Sequence, residues 1–525
     1  MPHVEFPERF RMSDYFLYHN VEEGGREHKT CLYYRDESYT YGDAARLSNR
    51  AGSALREAGL GVEDRVLIAL PDCPEFAWTW FGANRAGGVI TMVNPLLPPD
   101  DYRYYLEYTR ARVAVIHESL LENFARAAEG SQHLRSVLVV GSEGGGFGGE
   151  RKNFHSFAEA AAAQPDELTP ADTHRDDIAI WLFTSGSTGH PKGAVHLQHD
   201  LPYNTECYAK GVLGVNENDL TVSVPKLFFG YATGTNLLFP FAAGGATALF
   251  PERSTPEKLF EVIERHRPTI LTSVPTMINA MLNVEGAAAK DISSLRMCLS
   301  AGEALPEELY RRWVERFGVE IYDGIGSAEM FHIYITNRPG DVKPGSLGRV
   351  VEGYEAEVVD AEGRGLPPGE MGTLRIKGDS AALCYWQAHE KSKQTFAGDW
   401  CTTGDQFHAD AEGYFWYHGR TDDMLKVSGV FVAPAEIENC LLRHEAVLEA
   451  AVVGHDAGDG LVKPRAFLVL REGHAPSEAL AQTLKDFVKS NLALYKYPRW
   501  VDFVDSLPKN DRGKIDRKQL KDSSQ

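Results

Sequence analysis

The sequence has no C-x-x-C pair and an odd number of cysteines, seven in 525 residues, at Cys31, Cys73, Cys207, Cys298, Cys384, Cys401 and Cys440. That scatter argues against a zinc ribbon or a disulfide framework. It suits a reducing compartment, where free thiols fill core space, and a cytoplasmic location is expected. Nor does the stretch Met1–Glu8 carry the basic start and apolar run of a secretory signal. Positive charge is scarce: 54 Lys+Arg stand against 74 Asp+Glu, a formal net charge of −20. This argues against a nucleic-acid binder or a surface held to acidic lipid. The longest stretch without charge, Leu227–Phe250, has membrane-spanning length. It also holds Gly230, Gly234, Asn236, Pro240, Gly244 and Gly245, which free backbone groups in lipid. Buried strand and loop is the expectation, with no membrane partner. No repeat of solenoid period is present.

What the chain does have is ordinary globular material, 43% hydrophobic and 24% charged. Short apolar runs alternate with helix-like segments: Arg65–Leu70 before a helix over Pro74–Gly87, then Val113–Ile116, Ser136–Val140, Ile178–Phe183 and Thr269–Thr272. Such alternation predicts an α/β architecture with largely parallel sheets. The glycine-rich Gly141–Glu150 reads as a surface loop. From about Val342 the texture shifts to short strands with turns, as in Gly372–Gly378. A distinct unit follows Gly419-Arg420. It has helices over Pro434–His444 and Ser477–Asn491, with strands at Ala450–Val453 and Ala466–Leu470. The expected division is 1–420 and 421–525.

The strongest local signal is Thr184-Ser-Gly-Ser-Thr-Gly-His-Pro-Lys-Gly193, directly after the apolar run Ile178–Phe183. Gly186, Gly189 and Gly193 let backbone approach a ligand closely. Thr184, Ser185, Ser187 and Thr188 offer hydroxyls, and Lys192 adds positive charge. Together these groups can wrap phosphate oxygens. The Walker pattern fails, because Pro191 stands between Gly189-His190 and Lys192.

This decapeptide resembles the signature of the adenylate-forming superfamily, which contains acyl-CoA synthetases, peptide-synthetase adenylation domains and firefly luciferases. Further motifs follow in that family's order from about Tyr41 to Arg517. The resemblance implies a large N-terminal domain of stacked α/β sheets with a small β-barrel-like part, and a small mobile α+β C-terminal domain. It also implies ATP, Mg²⁺ and coenzyme A. Tyr322-Asp-Gly-Ile-Gly-Ser-Ala-Glu329 resembles the family's Gly-Tyr-Gly-x-Thr-Glu motif, with Asp323, Gly324, Ile325 and Gly326 beside adenine and Glu329 as the catalytic metal carboxylate. Ile325 replaces the usual tyrosine, and Ala328 the usual threonine hydroxyl. Ser300–Pro306 resembles the adenine-side turn, which assigns Ala301, Gly302 and Glu303 to the base. Trp400–Asp405 resembles the Thr-Gly-Asp element, so Asp405 is expected to accept from both ribose hydroxyls. Gly419–Gly429 resembles the hinge segment, with Arg420 at the nucleotide and Asp422 as pivot. In Leu507–Arg517, Lys514 takes the position of the family's catalytic lysine.

Two segments bear on the acid. Lys226–Ala232 contributes Phe229, Gly230, Tyr231 and Ala232, and Met330–Ile333 contributes Phe331, His332 and Ile333. This flat apolar pattern resembles benzoate-, hydroxybenzoate- and anthranilate-type CoA ligases more than fatty acyl-CoA synthetases. His332 is a candidate to orient the carboxylate, with Lys426 near it, and Ser428 and Gly429 are assigned to the CoA tunnel. The expected partners are thus an aromatic carboxylic acid, ATP and CoA, in a monomer or homodimer. Two alternatives stay open: an adenylation enzyme that loads a carrier protein, and a nucleotide-binding regulator without chemistry.

Overall fold

The computed structural model describes residues 4–141, 153–184, 190–421, 424–427, 430–456, 462–509 and 515–522. Continuous apolar runs such as Val113–His117 and Ser136–Val140 form parallel strands, because a strand covered on both faces needs no polar alternation. They lie in an eight-stranded sheet. Its order is Cys384–Tyr385, Lys192–Leu197, Ile178–Thr184, Val89–Met92, Arg65–Ala69, Val113–His117, Ser136–Val140 and Phe154–Ser156.

A nine-stranded sheet runs Arg349–Val350, Ile333–Thr336, Ile321–Gly326, Met297–Ala301, Ile270–Ser273, Leu220–Ser223, Ala246–Leu249, Thr30–Tyr34 and Glu37–Thr40. Its interior is parallel and its margins are antiparallel. Local chemistry sets the helix starts that flank these strands. Proline opens the helix Pro74–Arg85, and Thr40 with Asp43 forms a reciprocal capping box on Tyr41–Glu57.

A five-stranded antiparallel sheet follows, built from Glu355–Val359, Gly372–Lys377, Trp400–Ala409, Phe396–Ala397 and Phe415–Arg420. Along Gly372–Lys377 every second residue is buried, so this sheet has one inward face. The C-terminal part has a hairpin of Leu425–Val427 with Val430–Val432 and the helices Pro434–Leu442 and Glu478–Asn491. Its three-stranded sheet comprises Val447–Asp456, Val462–Leu470 and Trp500–Phe503. The fold is therefore mixed α/β, with large N-terminal sheets and a small C-terminal domain. The loop expected at 141–150 lies outside the described residues beyond Gly141.

One expectation fails. The uncharged stretch 227–250 is helical, not strand and loop, from Gly230 to Ala242. A widened π-type turn at Gly234–Leu238 is flanked by short α-turns, and only Ala246–Leu249 is a strand. Leu237, Leu238, Phe239 and Phe241 are all buried, so this segment is covered on every side and shows no period to read. Among the described residues no helix is long and apolar enough to cross a membrane.

The start of that stretch is fixed by a buried carboxylate just before the helix Pro74–Arg85. Asp72 Oδ1 accepts from the Leu227 amide at 2.7 Å, while its Oδ2 lies 4.0 Å from Lys226 Nζ. The ammonium also donates to the Phe250 carbonyl at 2.9 Å. Burial lifts the Asp72 carboxyl to about 6 against the pull of Lys226, and burial likewise lowers the lysine. Asp72→Ala removes the Leu227 amide's acceptor and the ammonium's counter-charge together and should cost about 3 kcal/mol. Asp72→Asn keeps an acceptor for Leu227 and should cost less than half of that. Urea unfolding of the two variants checks the ordering.

Candidate active site

Strands Ile178–Thr184 and Lys192–Leu197 pair antiparallel, with Thr184 opposite Lys192. The phosphate-loop decapeptide is thus a hairpin connection that returns as a strand, unlike a loop that opens a helix. Ser185, Gly186, Ser187, Thr188 and Gly189 lie outside the described residues. Aromatic side chains of the helix Pro99–Thr109 brace the returning strand. Tyr104 donates to the Pro191 carbonyl at 2.7 Å, and the Gly193 amide donates to the Tyr108 hydroxyl at 3.2 Å. Lys192 Nζ stands 6.0 Å from the centroid of the Tyr385 ring.

Tyr385 connects this hairpin to the carboxylate expected at the metal. Its strand, Cys384–Tyr385, pairs with Lys192–Leu197, and its hydroxyl donates to Glu329 Oε1 at 2.5 Å. The turn Ala328–Met330 is also held through its backbone. The Ala382 amide donates to the Glu329 carbonyl at 2.7 Å, and the Ser380 hydroxyl to the Met330 carbonyl at 2.9 Å. Sequence reading missed Tyr385 because its partner is 56 residues away and no local pattern marks it.

On the expected adenine side, strands Met297–Ala301 and Ile321–Gly326 lie parallel with Ala301 in register with Gly324. This sets the Ala301–Glu303 turn against Gly324, Ile325 and Gly326. The Glu303 side chain, however, accepts from the Thr276 amide at 3.3 Å and its hydroxyl at 2.7 Å, so it caps the neighbouring helix Pro275–Asn283. Asp323 is buried, and Oδ1 meets no hydrogen-bond partner among the described residues. Burial pushes its carboxyl up to about 8.

Asp405 and Arg420 are register partners on adjacent strands, with Arg420 Nη1 3.6 Å from Asp405 Oδ1. A Cβ at Gly404 would lie 2.7 Å from Arg420 Nη2, so glycine there leaves room for the guanidinium.

The two acid-side segments meet. His332 Nε2 donates to the Tyr231 carbonyl at 3.0 Å, and the Tyr231, Phe239 and Tyr208 rings surround it with centroids 5.2, 4.7 and 5.5 Å away. Ala232, Phe331, His332 and Ile333 are buried, with Phe229, Gly230 and Tyr231 partly so. A Cβ at Gly234 would strike the imidazole at 2.5 Å. Burial lowers His332 to about 4, and its Nδ1 has no partner among the described residues. A neutral ring whose N–H is spent on Tyr231 has no donor for a carboxylate. In this arrangement His332 bridges to the Tyr231 segment through Nε2. Tyr208 and Phe239 were not foreseen, since each reads locally as ordinary core.

Phe331 has φ +68° and ψ −58°, and the His332 amide donates to the Met330 carbonyl at 2.9 Å. This is a γ-turn of the rare positive-φ form, a strained arrangement. Lys426 lies on the strand Leu425–Val427. Asp422, Ser428, Gly429 and Lys514 lie outside the described residues, although an antiparallel bridge pairs Lys509 with Ile515 on either side of 510–514.

Residues 20–386 match the family described as AMP-binding enzyme, and residues 436–514 match the AMP-binding enzyme C-terminal domain. The chain is 45% identical to the benzoate–CoA ligase of Thauera aromatica over 99% of its own length and 97% of that protein. Among solved structures it resembles the anthranilate CoA ligase AuaEII in complex with anthranoyl-AMP. The TM-score is 0.93 at 39% identity, over 99% of this chain and 98% of that one. It also resembles a benzoate CoA ligase from Burkholderia xenovorans, with TM-score 0.90 at 42% identity over 98% and 100%. The chain belongs to the AMP-binding enzymes. With these relatives it falls in their CoA-ligase branch.

The residues present fit an AMP-binding enzyme's ligands. The orphaned Asp323 Oδ1 is an acceptor without a donor, as an exocyclic amine would supply. No group of three or more His, Cys, Asp or Glu that could hold a metal occurs among the described residues. Glu329 alone suits Mg²⁺, which binds through one or two carboxylates plus substrate phosphates.

The raised value at Asp323 has a consequence for the unliganded enzyme. Its folded value lies above the ordinary 3.8, so ionising it costs stability progressively as pH rises from there to about 8. Asp323→Asn removes that cost. Its Tm relative to wild type should therefore be higher at about pH 8.5 than at about pH 5. Thermal melts without nucleotide test this, and an equal offset at both pH values would refute it.

Proposed function

We propose that this enzyme is an AMP-forming aryl-CoA ligase that activates a benzoate-type aromatic acid, with anthranilate and hydroxybenzoates in its range. The observation that carries the reading is the continuity of Glu329 with the aromatic wall. Two residues, Met330 and Phe331, separate Glu329 from His332, which bridges to the Tyr231 carbonyl among the aromatic rings. The relatives' names supply independent support, including the 4-hydroxybenzoate–CoA/benzoate–CoA ligase of Rhodopseudomonas palustris, 38% identical over 97% of this chain.

In the first half-reaction an arylcarboxylate oxygen attacks the α-phosphorus of ATP in line, and the bond to pyrophosphate breaks. Lys192 and the Thr184–Gly193 hairpin hold phosphate oxygens, Asp405 accepts from the ribose and Arg420 sits beside it. Lys514 supplies charge to the pentavalent transition state. Glu329, with the Tyr385 phenol on its Oε1, is the residue to hold Mg²⁺, which when bound offsets triphosphate charge.

The segment 421–525 then turns about Asp422, withdrawing Lys514 and bringing the Lys426–Gly429 face to the site. Ser428 and Gly429 line the pantetheine path, where glycine permits close approach. The CoA thiolate attacks the activated carbonyl, a C–S bond forms, the C–O bond to phosphate breaks and AMP leaves. We place this chemistry in the cytoplasm.

ATP–pyrophosphate exchange over a panel of acids is the decisive experiment. Benzoate, anthranilate and hydroxybenzoates should exceed a long-chain fatty acid by about a hundredfold or more in kcat/KM. Preference for the fatty acid would overturn the aryl assignment. Lys514→Ala should lower adenylation by about 10²-fold or more while thioester formation from supplied benzoyl-AMP survives. Adenylation at the wild-type rate would remove Lys514 from its role.

A further inference from the structure

A second buried contact reaches the turn that carries Glu329, from residues that no motif marks. His196 stands on the strand Lys192–Leu197, four residues after Lys192. Its side chain is 0% exposed and that of Asp200 1%. His196 Nε2 lies 2.7 Å from the Ala328 carbonyl, and Nδ1 lies 2.8 Å from Asp200 Oδ2. A carbonyl can only accept, so Nε2 carries the hydrogen and the ring is a donor to the residue immediately before Glu329.

Asp200 is itself immobilised. Its Oδ2 also accepts from the Leu197 amide at 3.1 Å, and its Oδ1 lies 3.3 Å from His199 Nε2. The imidazole is thus clamped on one side by a fixed carboxylate and aimed on the other at backbone. Together with the Ala382 amide and the Ser380 hydroxyl, it gives each of three successive carbonyls, Ala328, Glu329 and Met330, a donor from outside the turn, Met330 also accepting from the His332 amide. The donor on Ala328 comes from the eight-stranded sheet, whereas Ala328 follows a strand of the nine-stranded one. Ala328 also lacks the hydroxyl usual at its position, so its side chain cannot anchor this turn by a hydrogen bond.

We propose that His196, oriented by Asp200, is a positioning residue that sets the Glu329 turn against the phosphate hairpin. The N–H···O=C bond to Ala328 then acts beside the Tyr385 hydroxyl on Glu329 Oε1 to hold the carboxylate in place. This inference rests on the reading that Glu329 faces the ATP phosphates. It does not depend on which acid is activated.

Two isosteric variants separate positioning from simple core packing. His196→Gln can place an amide N–H where Nε2 stood and so keep the bond to Ala328. His196→Asn reaches only the Nδ1 position and keeps the contact with Asp200. In the adenylation half-reaction, His196→Asn should show a KM for Mg·ATP about tenfold or more above that of His196→Gln, the effect of one lost buried hydrogen bond. Mg·ATP affinity by titration calorimetry should fall by a similar factor. Thioester formation from supplied benzoyl-AMP, which handles no triphosphate, should agree within about twofold between the variants.

If His196→Asn matches or surpasses His196→Gln in Mg·ATP binding, the proposal is wrong. It is equally wrong if both half-reactions fall in parallel. Absence of pyrophosphate exchange in the wild-type enzyme with every acid would instead sink the ligase reading, so the two failures are distinguishable.

Discussion

The turn Ala328–Met330 is the point on which the site depends, because it is where one sheet is fastened to the other. It follows a strand of the nine-stranded sheet, yet His196 and Tyr385, which hold it, belong to the eight-stranded sheet. Each such bond contributes only about 1 kcal/mol net, but a buried carbonyl or imidazole N–H left without its partner costs about 1–3 kcal/mol. The penalty for misalignment therefore exceeds the gain from any one bond. That asymmetry favours a single arrangement of the two sheets over a set of nearby ones, and so fixes where Lys192 stands relative to Glu329.

Burial shifts the ionisation of several polar groups in this fold. Asp72, Asp323 and His332 are all shifted toward their neutral forms by loss of water. In each case desolvation outweighs the attractions available. The chain's net charge of −20 consequently says little about the local charge around Lys192 and Arg420. Lys192 and Arg420 are placed by strand register, opposite Thr184 and Asp405. Bulk charge bears on solubility and encounter, while a ligand meets the local arrangement.

What could be read from sequence was what repeats locally or sits in a dense motif. The strands Val113–His117 and Ser136–Val140 announce themselves by unbroken apolar runs, and the start of Pro74–Arg85 by its proline. Asp405 and Arg420 were placed near one nucleotide by motif alone, and the structure makes them cross-strand neighbours. Tyr385, His196, Tyr208 and Phe239 were invisible for a shared reason. Each acts through a partner distant in sequence, and a lone aromatic or histidine in an apolar segment looks the same whether it fills space or holds a functional turn. Glu303 carries a contact its motif does not reveal, since its carboxylate accepts from Thr276 on the helix Pro275–Asn283. The helical run 230–242 was unreadable because full burial on every side erases the amphipathic period.

The γ-turn at Phe331 ties these points together. A positive φ at a bulky residue costs about 1–3 kcal/mol, and glycine would avoid it. Glycine would also surrender the Phe331 ring, which is buried with its centroid 6.2 Å from that of Phe239. The strain is thus offset by packing and by the His332 amide bond to Met330. Its geometric effect is to reverse the chain between Met330 and His332. Without that reversal, Glu329 and His332 would be separated by about 10 Å of extended backbone. With it, the turn that carries Glu329 and the His332–Tyr231 contact belong to one short segment. Activation of an acid requires its carboxylate to lie against the α-phosphate, so the acid and phosphate subsites must hold a constant offset. On the proposed reading, the strained γ-turn Met330–His332 is the link that would carry that offset, since it joins the Glu329 turn to the His332–Tyr231 contact.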